Sequence, residues 1–135
     1  MKIRLLETGA SDAFMNMAID EVLMESSEPV LRLYSWKPPA VSIGYFQNLG
    51  EEVDSEACGK LGVDVVRRQT GGGAVFHDEE LTYSFISREF PKNILESYKW
   101  VCSGVIEGLA TMGFGAEFAP LNDILVGGKK VSGNA

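Results

Sequence analysis

Three consecutive glycines interrupt a strand-like stretch of the sequence, VRRQTGGGAVFHDEELTYSF, residues 66–85. β-Branched and aromatic residues on both sides of it predict two strands, 63–68 and 81–87. Between these strands stand Gly71, Gly72 and Gly73, and glycine loses more conformational freedom on folding than any other residue. The cluster has two interpretations: a bend between two strands, or a place where bare backbone approaches a ligand.

A ligand at this cluster would be an anion. Consecutive backbone N–H groups form a concave anion site where glycine permits positive φ values. Arg67 and Arg68 come just before the glycines, and the alternation of side chains along a strand sends one arginine toward the cluster and the other away. A guanidinium beside exposed N–H groups suits a phosphate or a carboxylate. The residues alone favour this site and a plain glycine bulge with solvated arginines about equally.

Outside this stretch, the pattern of the sequence predicts an α+β protein. Hydrophobic periodicity and capping residues predict helices at 11–26, 54–62 and 93–113. Strand patterns stand at 2–7, 30–36 and 40–46, the last two forming a hairpin across Pro38 and Pro39. Because strands and helices do not alternate regularly, we expect a mixed, largely antiparallel sheet with helices packed on it. The 135 residues suffice for one domain.

Two of the predicted helices carry apolar residues at helical spacing, which marks the face expected to lie against the sheet. In the first helix these residues are Phe14, Met17, Ala18 and Val22. In the last helix they are Ile94, Tyr98, Val101, Val105, Leu109 and Met112. The helix at 54–62 is expected to end at Gly62, since glycine is favoured just past a helix C-terminus.

The C-terminal segment 122–133, NDILVGGKKVSG, predicts a second hairpin with Gly127 and Gly128 in a two-residue turn. Strand alternation would place Lys130 on one face with Ser132 and Asn134. This face is either a polar site or a solvated edge strand, where lysine is common. Asn122 and Asp123 open the hairpin, as a capping turn or as ligands of a magnesium ion beside a nucleotide.

Bulk composition excludes several classes of function. The net charge of −7 argues against general nucleic-acid binding. No apolar run approaches the roughly 18 residues that a membrane span needs, and the N-terminus has no signal-peptide pattern. We therefore expect a cytoplasmic protein that binds neither nucleic acid nor membrane. Cys58 and Cys102 lie in predicted helices without metal-binding spacing, so we expect reduced, buried thiols.

Several catalytic motifs are missing from the sequence. His77 is the only histidine, which excludes a multi-histidine metal site. No GxSxG elbow presents a serine to it, so a Ser-His-Asp triad is disfavoured. The segment GGKKVS, 127–132, lacks the GxxxxGK[ST] pattern of a phosphate loop. No direct motif for a metal remains.

Four collinear segments resemble the lipoate-protein ligase family of the biotin/lipoate ligase superfamily. They are MNMAIDEVL (15–23), PAVSIGYFQN (39–48), RRQTGGGAVFHD (67–78) and NDILVGGKKVSGNA (122–135). The third and fourth segments are specific as a pair. The resemblance implies an α+β catalytic domain with a mixed sheet.

The resemblance also implies an activity. Ligases of this family use ATP and lipoate or octanoate, with Mg²⁺ beside the nucleotide, to form an acyl-AMP. They then pass the acyl group to a lysine of a lipoyl carrier domain. Such carriers occur in the 2-oxoacid dehydrogenase complexes and in the glycine cleavage H protein. No protein nucleophile is needed, because the adenylate is already activated.

Carried over by position, the resemblance implies a role for each motif residue. Arg68 meets the nucleotide phosphate, and Lys130 contacts both the acyl carboxyl oxygen and the α-phosphate. A lysine between two anions neutralises their repulsion. His77 and Asp78 complete the motif as architectural residues, and Asp123 is a weak candidate for the magnesium. The backbone along the acyl-adenylate comprises Gly73, Ala74, Val75 and Phe76, in a loop shaped by Gly71 and Gly72.

Two alternatives stay open at this point. Octanoyltransferases of the same superfamily pass the acyl group through a cysteine thioester without ATP, and one such group carries its cysteine where GAEFAPLND, 115–123, stands here without one. Ligases of this kind also continue well past residue 135. The resemblance therefore implies an incomplete domain, a split enzyme that needs a C-terminal polypeptide or a homodimer, or a non-catalytic binding module.

Overall fold

The computed structural model describes residues 2–135, which form two compact units, one ending at Arg88 and one comprising Glu89–Ala135. Within residues 2–135, no helix is long and apolar enough to cross a membrane.

The first unit contains two three-stranded sheets and three helices. Its elements in chain order are β1 (Arg4–Ser11), α1 (Ala13–Leu23), β2 (Val30–Trp36), β3 (Ala40–Ile43), α2 (Leu49–Glu52), α3 (Ser55–Leu61), β4 (Asp64–Arg67), β5 (Val75–His77) and β6 (Thr82–Ile86). In one sheet β2 is central, parallel to β1 and antiparallel to β6. In the other, β3 is central, parallel to β4 and antiparallel to β5.

The second unit contains one long helix and an antiparallel three-stranded sheet. Its elements are α4 (Ile94–Thr111), β7 (Ala116–Ala119), β8 (Asp123–Val126) and β9 (Lys129–Gly133). The strand order is β7-β8-β9. Gly127 and Gly128 form the turn between β8 and β9, with φ values of 56° and 75°, as a two-residue hairpin turn requires. This predicted hairpin is confirmed.

The predicted fold class is confirmed, with its strands divided among three small sheets rather than one. Within residues 2–135 the strand pairs are mostly antiparallel, with parallel pairs only at β1–β2 and β3–β4. The helix signals also hold. Asp12 caps α1 by accepting a hydrogen bond from Met15 N, and α3 ends at Gly62, whose φ is 67°.

One predicted strand pairing is wrong. The segments 30–36 and 40–46 do not form a hairpin, because β2 and β3 belong to different sheets. Ala40, Ser42 and Ile43 are all buried, and β3 bonds on both edges to β4 and β5. The partner β5 is only three residues long, which is too short for its pattern to be recognised beside the glycines. The connection through Pro38 and Pro39 therefore leads from one sheet to the other.

The predicted apolar face of α1 is wrong except at Met17, which packs against the core. The helix buries Ala13 and Asn16, while Phe14 and Val22 are 59% and 72% exposed. The cause is Arg32 on β2, which is fully buried and requires hydrogen-bond acceptors from the helix. Asn16 supplies its side-chain oxygen and its backbone carbonyl to this guanidinium. Satisfying a buried cation thus outweighs the apolar stripe.

A small apolar cluster forms the core of the first unit. Ala13, Tyr34, Trp36 and Ala40 are buried together, with Met17 and Val66 packed against them. In the second unit, the middle of the predicted apolar face of α4 is half-buried, but its ends, Ile94 and Met112, are exposed. Cys102 and Ile124 are the fully buried apolar residues there.

Candidate functional site

The glycine loop, residues Thr70–Ala74, joins β4 to β5 in the first unit. Gly72 has a φ of 90°, a conformation that other residues rarely adopt. A Cβ added at Gly71 or at Gly73 would meet no atom within 4 Å, so both border open space. Within residues 2–135, no backbone hydrogen bond outside the strands is donated by Gly71, Gly72 or Gly73. The loop therefore presents N–H groups that an anion could use.

A glycine that sequence reasoning missed sits against this loop. A Cβ added at Gly44 would lie 2.0 Å from the Gly72 carbonyl oxygen, a separation that no real side chain tolerates. The neighbouring backbone is bonded to the loop, since Tyr45 N donates to Thr70 O at 2.9 Å. Gly44 stands in the segment SIGYF, and a glycine directly after a strand was the available signal.

Arg68 fixes the glycine loop through hydrogen bonds to its carbonyl oxygens. Its guanidinium donates to the carbonyl oxygens of Gly71 and Gly73 at 2.7 and 2.9 Å. It also donates to Thr70 Oγ1, and to the carbonyl and hydroxyl oxygens of Ser42. These five hydrogen bonds equal the number of N–H donors in a guanidinium. Arg68 could contact a phosphate only by giving up part of this set, so its predicted phosphate contact stays a prediction.

The two adjacent arginines separate as strand alternation predicts. Arg67 donates to the carbonyl oxygens of Gly44, Tyr45 and Gln47 and so holds the turn after β3. Arg68 bonds the glycine loop instead. Desolvation by burial lowers the pKa of the Arg68 guanidinium below its usual value. Both cations act on backbone carbonyls around the loop.

A buried serine and histidine continue the contacts of Arg68 into the unit. Ser42 Oγ lies 2.7 Å from His77 Nε2, and His77 Nδ1 bonds the carboxylate of Glu80. Because a carboxylate only accepts, the Nδ1 atom carries the proton of this bond. The imidazole stacks on Trp36 with ring centroids 4.1 Å apart. These contacts are of a structural kind, and the architectural role of His77 stays a prediction.

Ser42, His77 and Glu80 are hydrogen-bonded in the order of a hydrolytic triad, but a substrate could not reach the serine. Ser42 has no exposed surface, and its hydroxyl oxygen accepts a hydrogen bond from Arg68 at 2.8 Å. A nucleophile must be reachable by its substrate. This chain of hydrogen bonds instead links the glycine loop to the sheet of β1, β2 and β6. Glu80 also accepts a hydrogen bond from Thr82, and Thr82 accepts one from Trp36.

The remaining predicted residues of the first unit follow the loop along β5. Val75 and Phe76 are 42% and 57% exposed, on a strand at the edge of its sheet. Ala74 and Asp78, at either end of β5, are exposed too. These residues continue directly from the glycine loop, and as neighbours on β5 Val75 and Phe76 point to opposite faces of the sheet.

Lys130 lies in the second unit, on β9, and pairs with Asp123 on β8. Its Nζ is 2.9 Å from Asp123 Oδ1. The register places Lys130 opposite Leu125 but Ser132 opposite Ile124. Because Ile124 and Leu125 point to opposite faces of the sheet, Lys130 and Ser132 do not share a face. The predicted common face is wrong, and an inserted residue in β9, a β-bulge, is the reason.

Asn122 and Asn134 close the open end of this hairpin. Asn134 donates through its backbone N–H and its side chain to the Asn122 carbonyl, at 3.1 and 2.7 Å. The Asn122 side chain donates in return to the Asn134 carbonyl. Within residues 2–135 no group of three or more His, Cys, Asp or Glu residues could hold a metal ion. The magnesium role of Asp123 stays a prediction.

The two thiols are in different surroundings. Cys102 on α4 is fully buried, as predicted, and burial raises the pKa of its thiol, with Asp123 adding to the effect. Cys58 on α3 is only half-buried, so its predicted burial is wrong in degree. Both are free thiols, and Cys102 is poorly suited to form a thiolate.

Comparison with known proteins places these features in a family. The model of the lipoyl protein ligase A/B catalytic domain matches residues 12–135, and the chain therefore belongs to this family of lipoate ligase and transferase enzymes. The resemblance found in the four sequence segments is confirmed.

Three relatives indicate the range of the family. The octanoyltransferase LipM of Kyrpidia tusciae is 48% identical, over 86% of this chain and 46% of its own length. A bi-partite lipoate protein ligase of Thermoplasma acidophilum, solved in a study with its E2 lipoyl domain, has a TM-score of 0.89 and 33% identity, over 98% of this chain and 55% of its own. A lipoate-protein ligase A bound with ATP has a TM-score of 0.85 and 34% identity, over 98% and 60%.

The alignments cover a larger share of this chain than of its relatives. The chain is aligned over most of its own length, yet it spans about half the length of the curated relatives it matches. The residues described above thus correspond to one part of those enzymes.

Proposed function

We propose that this chain takes part in protein lipoylation by transferring an octanoyl or lipoyl group, without ATP, from an acyl thioester donor to a lysine of a lipoyl carrier domain. The lysine amine forms the new amide bond, the carbon–sulfur bond of the thioester breaks, and the thiol of the donor is released. The observation that carries the proposal is the identity of 39–50% to octanoyltransferases. This support places ATP-independent transfer ahead of the ATP-dependent ligase that the sequence motifs favoured. The acceptor class is supported by the Thermoplasma acidophilum relative and its E2 lipoyl domain.

The chemistry that transfer requires matches the groups on the two units. Attack of an amine on an acyl carbonyl develops negative charge on the carbonyl oxygen, and fixed donors aimed at that charge lower the barrier. The free N–H groups of the glycine loop and the ammonium of Lys130 are such donors. One of the two exposed side chains of β5, Val75 or Phe76, would contact the alkyl chain. The proposal assigns a contact with the acyl group to Gly71, Gly72 and Gly73 within the first unit, and separately to Lys130 within the second.

ATP-dependent ligation is the second candidate, and a specific observation favours it. A transferase that works through an enzyme thioester needs a reachable thiolate, yet no cysteine stands in 115–123 and Cys102 is fully buried. A ligase needs no protein nucleophile. If ATP binds, the loop N–H groups and Lys130 suit its phosphates, and ATP with Mg²⁺ supplies the activation of lipoate or octanoate.

One assay separates the candidates. The chain is incubated with a lipoyl carrier domain, either with an octanoyl carrier-protein thioester and no ATP, or with octanoate, ATP and Mg²⁺. The modified carrier lysine is measured by mass spectrometry. Product from the thioester alone supports the transferase, and product or pyrophosphate only with ATP supports the ligase. If neither mixture gives product while the chain still binds the carrier domain, a binding module is indicated, or the remaining half of the relatives must be added.

The two cysteines provide a second test of the route. We expect Cys58→Ser and Cys102→Ser each to leave acyl transfer unchanged, because one thiol is buried and the other lies outside the glycine loop. Loss of transfer in Cys58→Ser, together with an acyl thioester trapped on the parent chain, would identify that thiol as the nucleophile. Alkylation by iodoacetamide is the control, with Cys58 reacting faster than Cys102, whose raised pKa and burial both slow the reaction.

A further inference from the structure

In the hairpin of β8 and β9, Gly133 and Asp123 accommodate the side chain of Lys130, and we call this place the seat of the lysine. Residues Lys130 and Ser132 pair with Leu125 and Ile124, so Val131 is an extra residue in β9. The bulge moves Gly133 opposite Asp123. In an unbulged hairpin of the same turn, Ser132 would stand opposite Asp123 and its side chain would point toward Lys130. The bulge thus substitutes a residue without a side chain at this place.

The space above Gly133 is filled by the lysine. A Cβ added at Gly133 would lie 3.0 Å from both Cε and Nζ of Lys130, and 3.8 Å from Asp123 Oδ1. Gly133 is outside the set of glycines with positive φ, so its backbone conformation does not explain the choice of glycine. The side chain of Lys130 crosses over Gly133 to reach Asp123, and a residue without a side chain leaves room for it.

The ion pair of Lys130 with Asp123 is weak enough for the lysine to leave it when a ligand binds. The side chains of Lys130 and Asp123 are 58% and 31% exposed, and pairs in such solvated positions are weak. A lysine side chain otherwise samples many rotamers. Restraining it before a substrate arrives reduces the entropy lost when it contacts an anion.

We propose that Asp123 is a positioning residue, which holds the ammonium of Lys130 in a seat made by the bulge and Gly133. This rests on the proposed function only in taking Lys130 as the lysine that contacts the acyl group. The ion pair favours one position of the ammonium in the resting protein. A carboxylate, phosphate or developing oxyanion of the substrate then competes with Asp123 for it.

The test measures the reactivity of the lysine and does not depend on catalysis. The chain is acetylated with limiting acetic anhydride, and the rates at Lys130 and at its exposed neighbour Lys129 are compared by peptide mass spectrometry. We expect Asp123→Asn and Gly133→Ala each to raise the rate at Lys130 about two- to fivefold, as expected for release from a weak pair. The rate at Lys129 should not change.

Control variants keep the result specific. Gly115→Ala, where an added Cβ meets nothing within 4 Å, should leave both rates as in the parent chain. Asp123→Glu retains the charge and should keep Lys130 slower than Asp123→Asn does. Circular dichroism of each variant checks the fold. Equal rates at Lys130 in the parent, Asp123→Asn and Gly133→Ala would overturn the positioning role.

The same variants distinguish this inference from the proposed function. If acetylation changes as expected but Lys130→Ala retains acyl transfer, the seat exists and the assigned contact of Lys130 with the acyl group is wrong. If Lys130→Ala abolishes transfer but acetylation does not change, the lysine acts without the seat. In the remaining case, where both hold, Asp123→Asn should lower kcat more than it raises KM, since substrate binding uses other contacts.

Discussion

Two ion pairs of similar length have different environments in this protein. Arg32 and Asp20 meet at 2.7 Å, with side chains 0% and 19% exposed. Lys130 and Asp123 meet at 2.9 Å, but both side chains reach solvent. Distance does not distinguish these pairs, whereas burial does, because a buried ion without its partner keeps a large desolvation penalty. The first pair holds the fold, and the second leaves an ammonium available to a ligand.

The buried pair is part of a fully bonded cluster. Arg32 also donates to Thr8 Oγ1 and to Asn16, and its guanidinium lies 3.9 Å above the ring of Tyr34. Burial raises the pKa of Tyr34, with the nearby Asp20 charge adding to the effect. Within residues 2–135 no buried side-chain polar atom lacks a hydrogen-bond partner. Removing one member of the cluster therefore leaves others unsatisfied.

The largest effect is expected from Arg32→Met. The change keeps much of the volume but leaves Asp20 and Asn16 without their cation, and breaking a buried pair typically costs about 3–5 kcal/mol. Urea unfolding followed by circular dichroism measures the loss. Lys60→Met is the matched control, because the Lys60–Glu56 pair is highly exposed. A similar stability for both variants would mean that burial does not separate the two kinds of pair.

Gly44→Ala should follow in size. The added Cβ would meet the Gly72 carbonyl oxygen at 2.0 Å, so the glycine loop has to move, and overpacking of this kind costs about 1–3 kcal/mol. Gly59→Ala, inside α3 with nothing within 4 Å, is the control and should be neutral or stabilising, since alanine favours helix. Unfolding curves of the two variants compare them directly. An unaffected Gly44→Ala would mean that the loop is not fixed against β3.

Ser42→Ala should have a smaller effect on the same region. It removes the hydroxyl between Arg68 and His77, and a buried group left unsatisfied costs about 1–3 kcal/mol. A water entering the vacated space would bring the loss to the low end of that range. Ser103→Ala is the control, because the exposed Ser103 bonds only a carbonyl of its own helix. Equal unfolding midpoints for the two variants would exclude the buried chain of hydrogen bonds as support for the loop.

The smallest effect on stability is expected from Lys130→Ala. Solvated ion pairs contribute about 0–1 kcal/mol, so its unfolding midpoint should lie close to that of the parent chain. In contrast, we expect the acyl-transfer rate to fall to background, because the proposed contact of the Lys130 ammonium with the acyl group is lost. A variant that unfolds readily would show that Lys130 supports the fold, and normal transfer would remove it from the site.

Much of the local structure could be predicted from the sequence. The strand 30–36, the capped helix after Asp12, the helix end at Gly62 and the Gly127–Gly128 turn all depend on neighbouring residues. The motif residues of the candidate site were also identified from sequence, through their resemblance to a family. Their roles remain proposals, but the opposite directions of Arg67 and Arg68 followed from strand alternation alone.

Other features depended on partners distant in sequence. The apolar stripe of α1 gave the wrong face because Arg32, on a later strand, needs acceptors from that helix. The pairing of β3 was missed because its partners lie more than 20 residues away. Ser42 and Gly44 gave no strong signal, since their importance comes from His77, Arg68 and Gly72.

The fold class, most of the helices and strands, and the family could be predicted from the amino-acid sequence, since these depend on local propensity and on motif spacing. Which polar groups are hydrogen-bonded and which are not depends on the folded structure. It places the guanidinium of Arg68 against the carbonyls of the glycine loop and leaves the N–H groups there open. It also brings Gly133 opposite Asp123 through a bulge, which leaves room for the side chain of Lys130 to reach that carboxylate. Hydrogen bonding and burial are properties of the surroundings of a residue, and chain folding creates those surroundings.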